Sequence, residues 1–374
     1  MMLSAGCSKD ESKVGAQNGE AAEKAQPVAP DINPRLLRRF KPARAVIGSD
    51  DDEPTEVKVA LGQLLFHDER LGADGKRSCS SCHQLTRYGV DGRKQPRLST
   101  ATRNVPTVYH AAGHFEFSDG RAKTIEDQAR FALLNEAESG ATSEETVVSL
   151  LKAMPDYVAS FKLAFPGEED PVTFENVGVA IGAFERHLTT RSKWDEFLEG
   201  DPTAINVKEA EGLKLFLNLG CTVCHMGEQL GGTMYEKLGA VVPWPNQDDL
   251  GRFRTTKNEA DRMMFKVPTL RNVSETAPYF HDGYTDDLKT AVSMMAKHQT
   301  GMALKDDEVD AIVTWLKSLK GELPKQYLGA PELPELPAPP VVAEAQEAEP
   351  RDGAANAAVP QGSVGPAVST ASDP

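Results

Sequence analysis

The sequence predicts a mainly α-helical protein of two helical units in tandem, and three observations carry that expectation. Apolar residues recur at helical spacing through most of residues 36 to 328, and alternating strand-like runs are scarce. The pattern Cys-x-x-Cys-His occurs twice, once per unit, at Cys79-Ser-Ser-Cys82-His83 and Cys221-Thr-Val-Cys224-His225.

In chain order, Thr142-Ser-Glu-Glu145 reads as a capping box, and Val147, Val148, Leu150 and Leu151 follow it at helical spacing. Phe174, Val177, Ile181, Phe184 and Leu188 mark one face of a long helix expected to run on toward Phe197 and to stop at Gly200. Leu213, Leu215 and Phe216 put a helix directly before the second cysteine pair. Val309, Ile312, Val313, Leu316 and Leu319 define the last helix, with Gly321 expected as its C-cap. The stretches Gly89 to Thr102 and Gly231 to Phe253 are rich in Gly and Pro and read as long loops. The units therefore span residues 36–200 and 201–328.

Two thiols three positions apart can add across both vinyl groups of one porphyrin, and the adjacent histidine then lies under the iron as its proximal ligand. The chain is thus expected to carry two covalently bound haem c groups on Cys79, Cys82, Cys221 and Cys224, with His83 and His225 as iron ligands. One zinc site built from both pairs is disfavoured, because about 140 residues separate them and each carries the same following histidine. A disulfide oxidoreductase is disfavoured because neither pair follows a strand within a βαβ unit.

The fifth cysteine speaks to location. Leu3-Ser4-Ala5-Gly6-Cys7 has the small-residue pattern of a bacterial lipoprotein cleavage site, so residues 1–35 read as a truncated signal and flexible tether, with Cys7 as the lipid anchor. Covalent haem attachment needs exported, reduced cysteines, and both arguments point to a periplasmic, membrane-tethered protein. Residues 329–374 form a Pro, Ala and Glu-rich tail. From Pro331 onward seven acids face only Arg351 and no aromatic residue occurs, so disorder is expected. A net charge of −15 argues against nucleic acid as a partner and suits a basic protein.

Around the motifs, Arg103-Asn-Val-Pro-Thr107, Asp119-Gly-Arg-Ala122, Gly220-Cys221 through Gly231-Gly232, Lys266-Val-Pro-Thr-Leu-Arg-Asn272 and Ala277-Pro-Tyr-Phe-His-Asp-Gly283 stand in order between Lys58 and Lys320. In these stretches the chain resembles the bacterial di-haem cytochrome c peroxidases and their MauG-type relatives. The resemblance implies two cytochrome c-like helical domains, a peroxide-reacting haem in the first and an electron-entry haem in the second. It also implies roles for particular residues. Glu138, ten residues after Gln128 and nineteen after Asp119, matches the acid/base glutamate that moves a proton between the peroxide oxygens, and Gln128 matches its hydrogen-bonding partner. Met295, fourteen residues after His281, matches the thioether ligand of the second iron, with Met294 as the rival in register. His281 matches a histidine near that haem. Asn104, Thr276 and Pro278 match the side-chain and carbonyl donors of a calcium ion, Ca2+, at the domain boundary.

Departures matter too. Relatives often carry a capping histidine between the first motif and the Asn-x-Pro-Thr stretch, yet Gln84 to Arg103 contains none. The first haem is therefore expected to be open at rest, unless His110 or His114 substitutes. Ser118 stands where relatives place a tryptophan between the haems, next to Phe117, and Ala132 and Ser139 stand where relatives often have Pro and Met.

The expected activity is that of a cytochrome-c peroxidase, reducing hydrogen peroxide to water with electrons from a cytochrome c or cupredoxin donor. The alternatives are a MauG-like oxidant of a protein or small molecule, and a non-enzymatic di-haem electron carrier. Whether the chain forms a homodimer is left open.

Overall fold

The computed structural model describes residues 32–48, 54–94, 102–113 and 115–336. Cys7, most of the expected tether, His114 and most of the expected C-terminal tail lie outside the described residues. Within them the protein is helical, and the only paired strands are the short antiparallel ribbon of Tyr235–Lys237 and Met264–Lys266.

Two crossed helix pairs frame the cysteine motifs, one in each half of the chain. Helix Glu56–His67 starts at Thr55, whose hydroxyl accepts the amide of Lys58, and buries Val59, Leu61, Leu65 and Phe66. It packs on helix Phe174–Glu185 at Gly62, where an added Cβ would stand 1.9 Å from the Ala180 carbonyl oxygen and 2.8 Å from Phe184 Cβ. Helix Val207–Asn218 crosses helix Asp306–Lys317 in the same manner. A Cβ on Gly212 would stand 1.9 Å from the Ala311 carbonyl oxygen and 2.9 Å from Trp315 Cβ. At both crossings the missing side chain lets two backbones approach, and larger residues on either side fill the remaining space.

Two apolar cores follow. The first gathers Leu61, Leu65, Phe66, Tyr109, Leu133, Leu151, Phe161, Ile181 and Phe184, and the second Trp194, Leu213, Phe216, Ile312, Trp315 and Leu319. Each core also receives a strap from the far end of the chain. Ile32 and Phe40 pack into the second core, Phe40 edge-on to Trp194 at 5.3 Å. Leu323, Tyr327 and Leu328 return to the first core, where Tyr327 meets Phe184 edge-on at 5.5 Å.

Three local expectations need correction. The helix begun at Phe174 ends at Glu185 and does not reach Phe197, because Ser192 starts a new turn, Lys193–Leu198, by donating its amide and hydroxyl to Asp195 at 2.8 and 2.9 Å. In the gap, the Arg186 and Leu188 carbonyls accept from Ile47 and His110, bonds that a continuous helix would forbid. The helix expected from a Thr142 cap begins one residue later. Ser143 is the N-cap, its hydroxyl accepting from the Thr146 amide, ahead of helix Glu144–Lys152. Gly321 is not a C-cap; it pairs with Ser192 in an isolated bridge where a Cβ would lie 2.6 Å from the Arg191 carbonyl.

Candidate active site around the two cysteine motifs

Each motif histidine is already prepared as a metal ligand. His83 Nδ1 lies 3.1 Å from the Gly89 carbonyl oxygen and His225 Nδ1 lies 3.0 Å from that of Leu230. A carbonyl can only accept, so Nδ1 carries the proton and the lone pair resides on Nε2. Burial lowers the pKa of both rings, which keeps the imidazoles neutral as a metal requires. The four motif cysteines are free thiols, and burial raises the pKa of each, that of Cys221 to about 11. In the second half of the chain, His281 stacks on Phe265 at 4.4 Å, and both of its ring nitrogens are buried without a partner. Neutral Nε2 donors beside unpaired thiols in both motifs are a donor set that fits two covalently attached haems.

Beside the first motif stands Glu138. After burial, its charge is among the influences that raise the pKa of both Cys79 and Cys82. The residue follows helix Ile125–Leu134 in a turn closed by the Glu138 amide on the Asn135 carbonyl at 2.8 Å. Its carboxylate accepts from Asn135 Nδ2 at 2.6 Å and Arg121 Nη2 at 3.2 Å. Burial raises the Glu138 pKa, and the Arg121 charge and the Asn135 bond only partly oppose it. Gln128 lies on the preceding helix, half-buried. Ser139 is buried and closes the turn through its amide on the Ala132 carbonyl.

Sequence reasoning missed the partners of Glu138. Arg121 and Asp119 belonged to a recognised stretch without an assigned role, and Asn135 carried no signal. Nor did the sequence indicate what surrounds the turn at Ser118. The Ser118 carbonyl accepts from the Lys266 amide at 2.8 Å, and Tyr235, paired with Lys266 across the ribbon, stacks on Phe115 at 4.0 Å.

Met295 ends helix Leu288–Met295 and is half-buried, whereas Met294 packs against the small core of Trp244, Met263 and Phe265. A π-helical turn, Ala296–Thr300, follows at once and buries His298, whose Nδ1 meets the Val242 carbonyl at 2.8 Å while Nε2 has no partner. His110 is buried well away from any free role as a ligand through Nε2. That nitrogen accepts the Thr190 amide at 3.0 Å and lies 3.0 Å from the Thr190 hydroxyl.

Of the three residues matched to calcium, the structure joins Asn104 to Pro278, the Asn104 amide group lying 2.6 Å from the Pro278 carbonyl oxygen. The Asn104 main-chain amide also donates to the His281 carbonyl at 2.8 Å. Thr276 is two residues upstream and half-buried. Exchanging the oxygen and nitrogen of the Asn104 amide turns the cluster into one of oxygens only, which a hard cation would hold together.

Comparison with known proteins identifies the family and the fold. Residues 56–203 match the family model for di-haem cytochrome c peroxidase, and residues 209–320 match that for cytochrome c. The cytochrome c551 peroxidase of Nitrosomonas europaea is 39% identical over 291 residues, covering 76% of this chain and 85% of that protein. The methylamine utilization protein MauG of Methylorubrum extorquens is more distant, 31% identical over 320 residues, with 81% and 88% covered. In three dimensions the fold is similar to a MauG-like protein associated with microbial copper homeostasis, with a TM-score of 0.66 at 25% identity, covering 80% of this chain and 98% of that one. With a haem c attachment motif in each of two helical units and peroxidase relatives spanning both, the chain belongs to the di-haem cytochrome c peroxidase family and is a di-haem peroxidase.

Proposed function

We propose that this di-haem peroxidase reduces hydrogen peroxide to water in the periplasm, drawing electrons from a small reduced cytochrome c or cupredoxin. The observation that carries the reading is Glu138, a half-buried carboxyl beside the first cysteine motif, held by Asn135 and Arg121 and raised in pKa by partial desolvation. Cys79, Cys82 and His83 would hold one haem c, and Cys221, Cys224, His225 and Met295 would hold the other. When bound, the haem irons supply the electrons that divide the peroxide bond. Glu138 takes the proton from the inner peroxide oxygen and returns it to the outer one, and Gln128 orients the substrate by hydrogen bonding. A carboxyl suits this shuttle when its pKa lies nearer to the working pH than that of a solvated acid, which is the direction burial drives it.

In this reading residues 36–200 form the peroxidatic unit and residues 201–328 the electron-entry unit. Asn104, Thr276 and Pro278 would hold calcium, and Cys7 would tether the chain to a membrane. No histidine occurs from Gln84 to Arg103, and His110 is engaged by Thr190, so neither would supply a second histidine to the first haem. The MauG-like alternative is disfavoured by Met295 and Ser118, since MauG carries tyrosine and tryptophan there.

Steady-state peroxide turnover with reduced cytochrome c, with and without a calcium chelator, tests the proposal. Glu138→Gln is expected to lower kcat by about 100-fold or more while leaving the haem spectra unchanged. Full activity in that variant would remove Glu138 from the mechanism. An unaltered rate and spectrum after chelation would remove calcium.

A further inference from the structure

The carboxylate of Glu138 is the last member of a line of alternating charges that begins in the other half of the chain. Asp249, in the loop after the second motif, takes a forked pair of bonds from Arg103, Nε to Oδ2 at 2.6 Å and Nη2 to Oδ1 at 3.0 Å. Arg103 gives its remaining nitrogen, Nη1, to Asp119 at 2.8 Å. Asp119 is buried, and its oxygens also accept from Arg121 Nη1 at 3.1 and 3.0 Å. That leaves Arg121 Nη2 for Glu138.

Two features keep Arg121 in this pose. Its guanidinium lies over the Phe117 ring, 3.4 Å from the centroid. The turn itself is tight, with φ of +61° at Phe117 and +65° at Gly120, and a Cβ at Gly120 would lie 1.8 Å from the Tyr235 hydroxyl. Asp119 and Arg121 are thereby folded onto the same side.

We propose that Arg121 is the positioning residue for Glu138, and that the line running from Asp249 through Arg103 and Asp119 to Arg121 sets the orientation and charge of that carboxylate from the opposite half of the molecule. The inference rests on the acid/base role assigned to Glu138 above. Arg103 is already gripped by Asp249 with two nitrogens, so it cannot satisfy Asp119 alone. Asp119 therefore draws on Arg121, and the strength of that pull determines how much of the Arg121 charge Glu138 receives. The charged and titratable groups around Glu138 are Arg121 and, beyond it, Asp119 and Arg103, together with Arg77, whose Nη1 donates to the Glu138 carbonyl at 2.8 Å; the nearby sulfurs of Cys79 and Cys82 carry no titratable proton once joined to haem.

The two ends of the line should act with opposite sign. Removing Arg121 takes a cation from Glu138, which then stays protonated to higher pH. Removing the charge of Asp249 frees Arg103 for Asp119 and returns Arg121 to Glu138, which then ionises at lower pH.

The test is the pH profile of kcat/KM for hydrogen peroxide in the full-length, haem-loaded protein, read together with the pH titration of the Glu138 carboxyl infrared band, identified by its loss in Glu138→Gln. Arg121→Gln is expected to displace the acidic limb and the band to higher pH, with roughly a tenfold loss of kcat/KM on that limb. Arg121→Lys should restore most of the loss, and Asp249→Asn should displace both readouts the other way. Limb and band unmoved in Arg121→Gln and Asp249→Asn would overturn the proposal even if Glu138→Gln is inactive. Unimpaired turnover in Glu138→Gln would instead overturn the acid/base assignment. If Arg121→Gln fails to retain haem, Arg121→Lys and Asp249→Asn decide by the same two readouts.

Discussion

Met294 and Met295 are separated by about 100° of helical rotation, and that rotation gives them different surroundings. Met294 points into the core of Trp244, Met263 and Phe265, while Met295 does not join that core and ends the helix just before the π-helical turn that buries His298. Turns of this kind recur at functional sites because one extra residue re-aims the side chains on either side. On the proposed ligation by Met295, Met295→Leu is expected to lower the reduction potential of the second haem by on the order of 100 mV, since a thioether ligand favours ferrous iron. Met294→Leu, a nearly volume-conserving change, should leave that potential in place and cost under about 1.5 kcal/mol of stability. A redox titration of both variants checks the assignment, and equal potentials would refute it.

Among the elements, the helix crossings at Gly62 and Gly212 are the most demanding. At both, the space for a Cβ is occupied by a carbonyl of the partner helix, so the helices must separate to admit even a methyl group. Gly212→Ala should lower stability by about 1–3 kcal/mol despite the better helix propensity of alanine, and Gly62→Ala likewise. Gly329→Ala, which meets nothing within 4 Å, is the control expected to be neutral. Thermal unfolding of the three variants decides it. The mostly helical character of these elements was legible in the sequence, because apolar periodicity is a local property. Their ends were less so: the break after Glu185 depends on Ile47 and His110 arriving from distant segments, and Ser143 outcompeted Thr142 as a cap by a single residue.

At the scale of the whole molecule, the chain ends cross over, and the buried pair of Arg271 and Asp195 pins one crossing. Arg271 is 1% exposed and Asp195 0%, and two bonds of 3.0 and 2.9 Å join them. The same carboxylate accepts the Ala43 amide at 2.7 Å, and Arg271 also reaches the carbonyls of Lys41 and Glu228. Burial by itself would raise the Asp195 pKa, but the adjacent guanidinium together with the amides of Ala43 and Ser192 more than offsets it and holds the group below the usual carboxylate range. A depressed pKa in the folded state contributes stability above the unfolded value, and that contribution is lost as pH falls through the folded one. Asp195→Asn should thus lower the Tm at neutral pH, by about 3–5 kcal/mol of stability with Arg271 left unpaired, and flatten the decline below about pH 4. A Tm series across pH checks both, and an unchanged slope in acid would refute the account.

What the sequence determined alone was the chemistry that neighbours in the chain can perform. The paired cysteines with their histidines specify haem attachment, because the spacing of two thiols and a ligand is covalent and local. Motif order then identified the family, and through it Glu138, Gln128, Met295 and the calcium donors as candidates. Only the tertiary structure decided which charges meet: Asp249 and Arg103 lie 146 residues apart and carry no mutual signal, yet they share a forked ion pair. Periodicity and spacing are written into the chain one residue after another, whereas electrostatic partners are chosen when packing brings remote loops within a few ångströms, where the interaction is strong enough to matter.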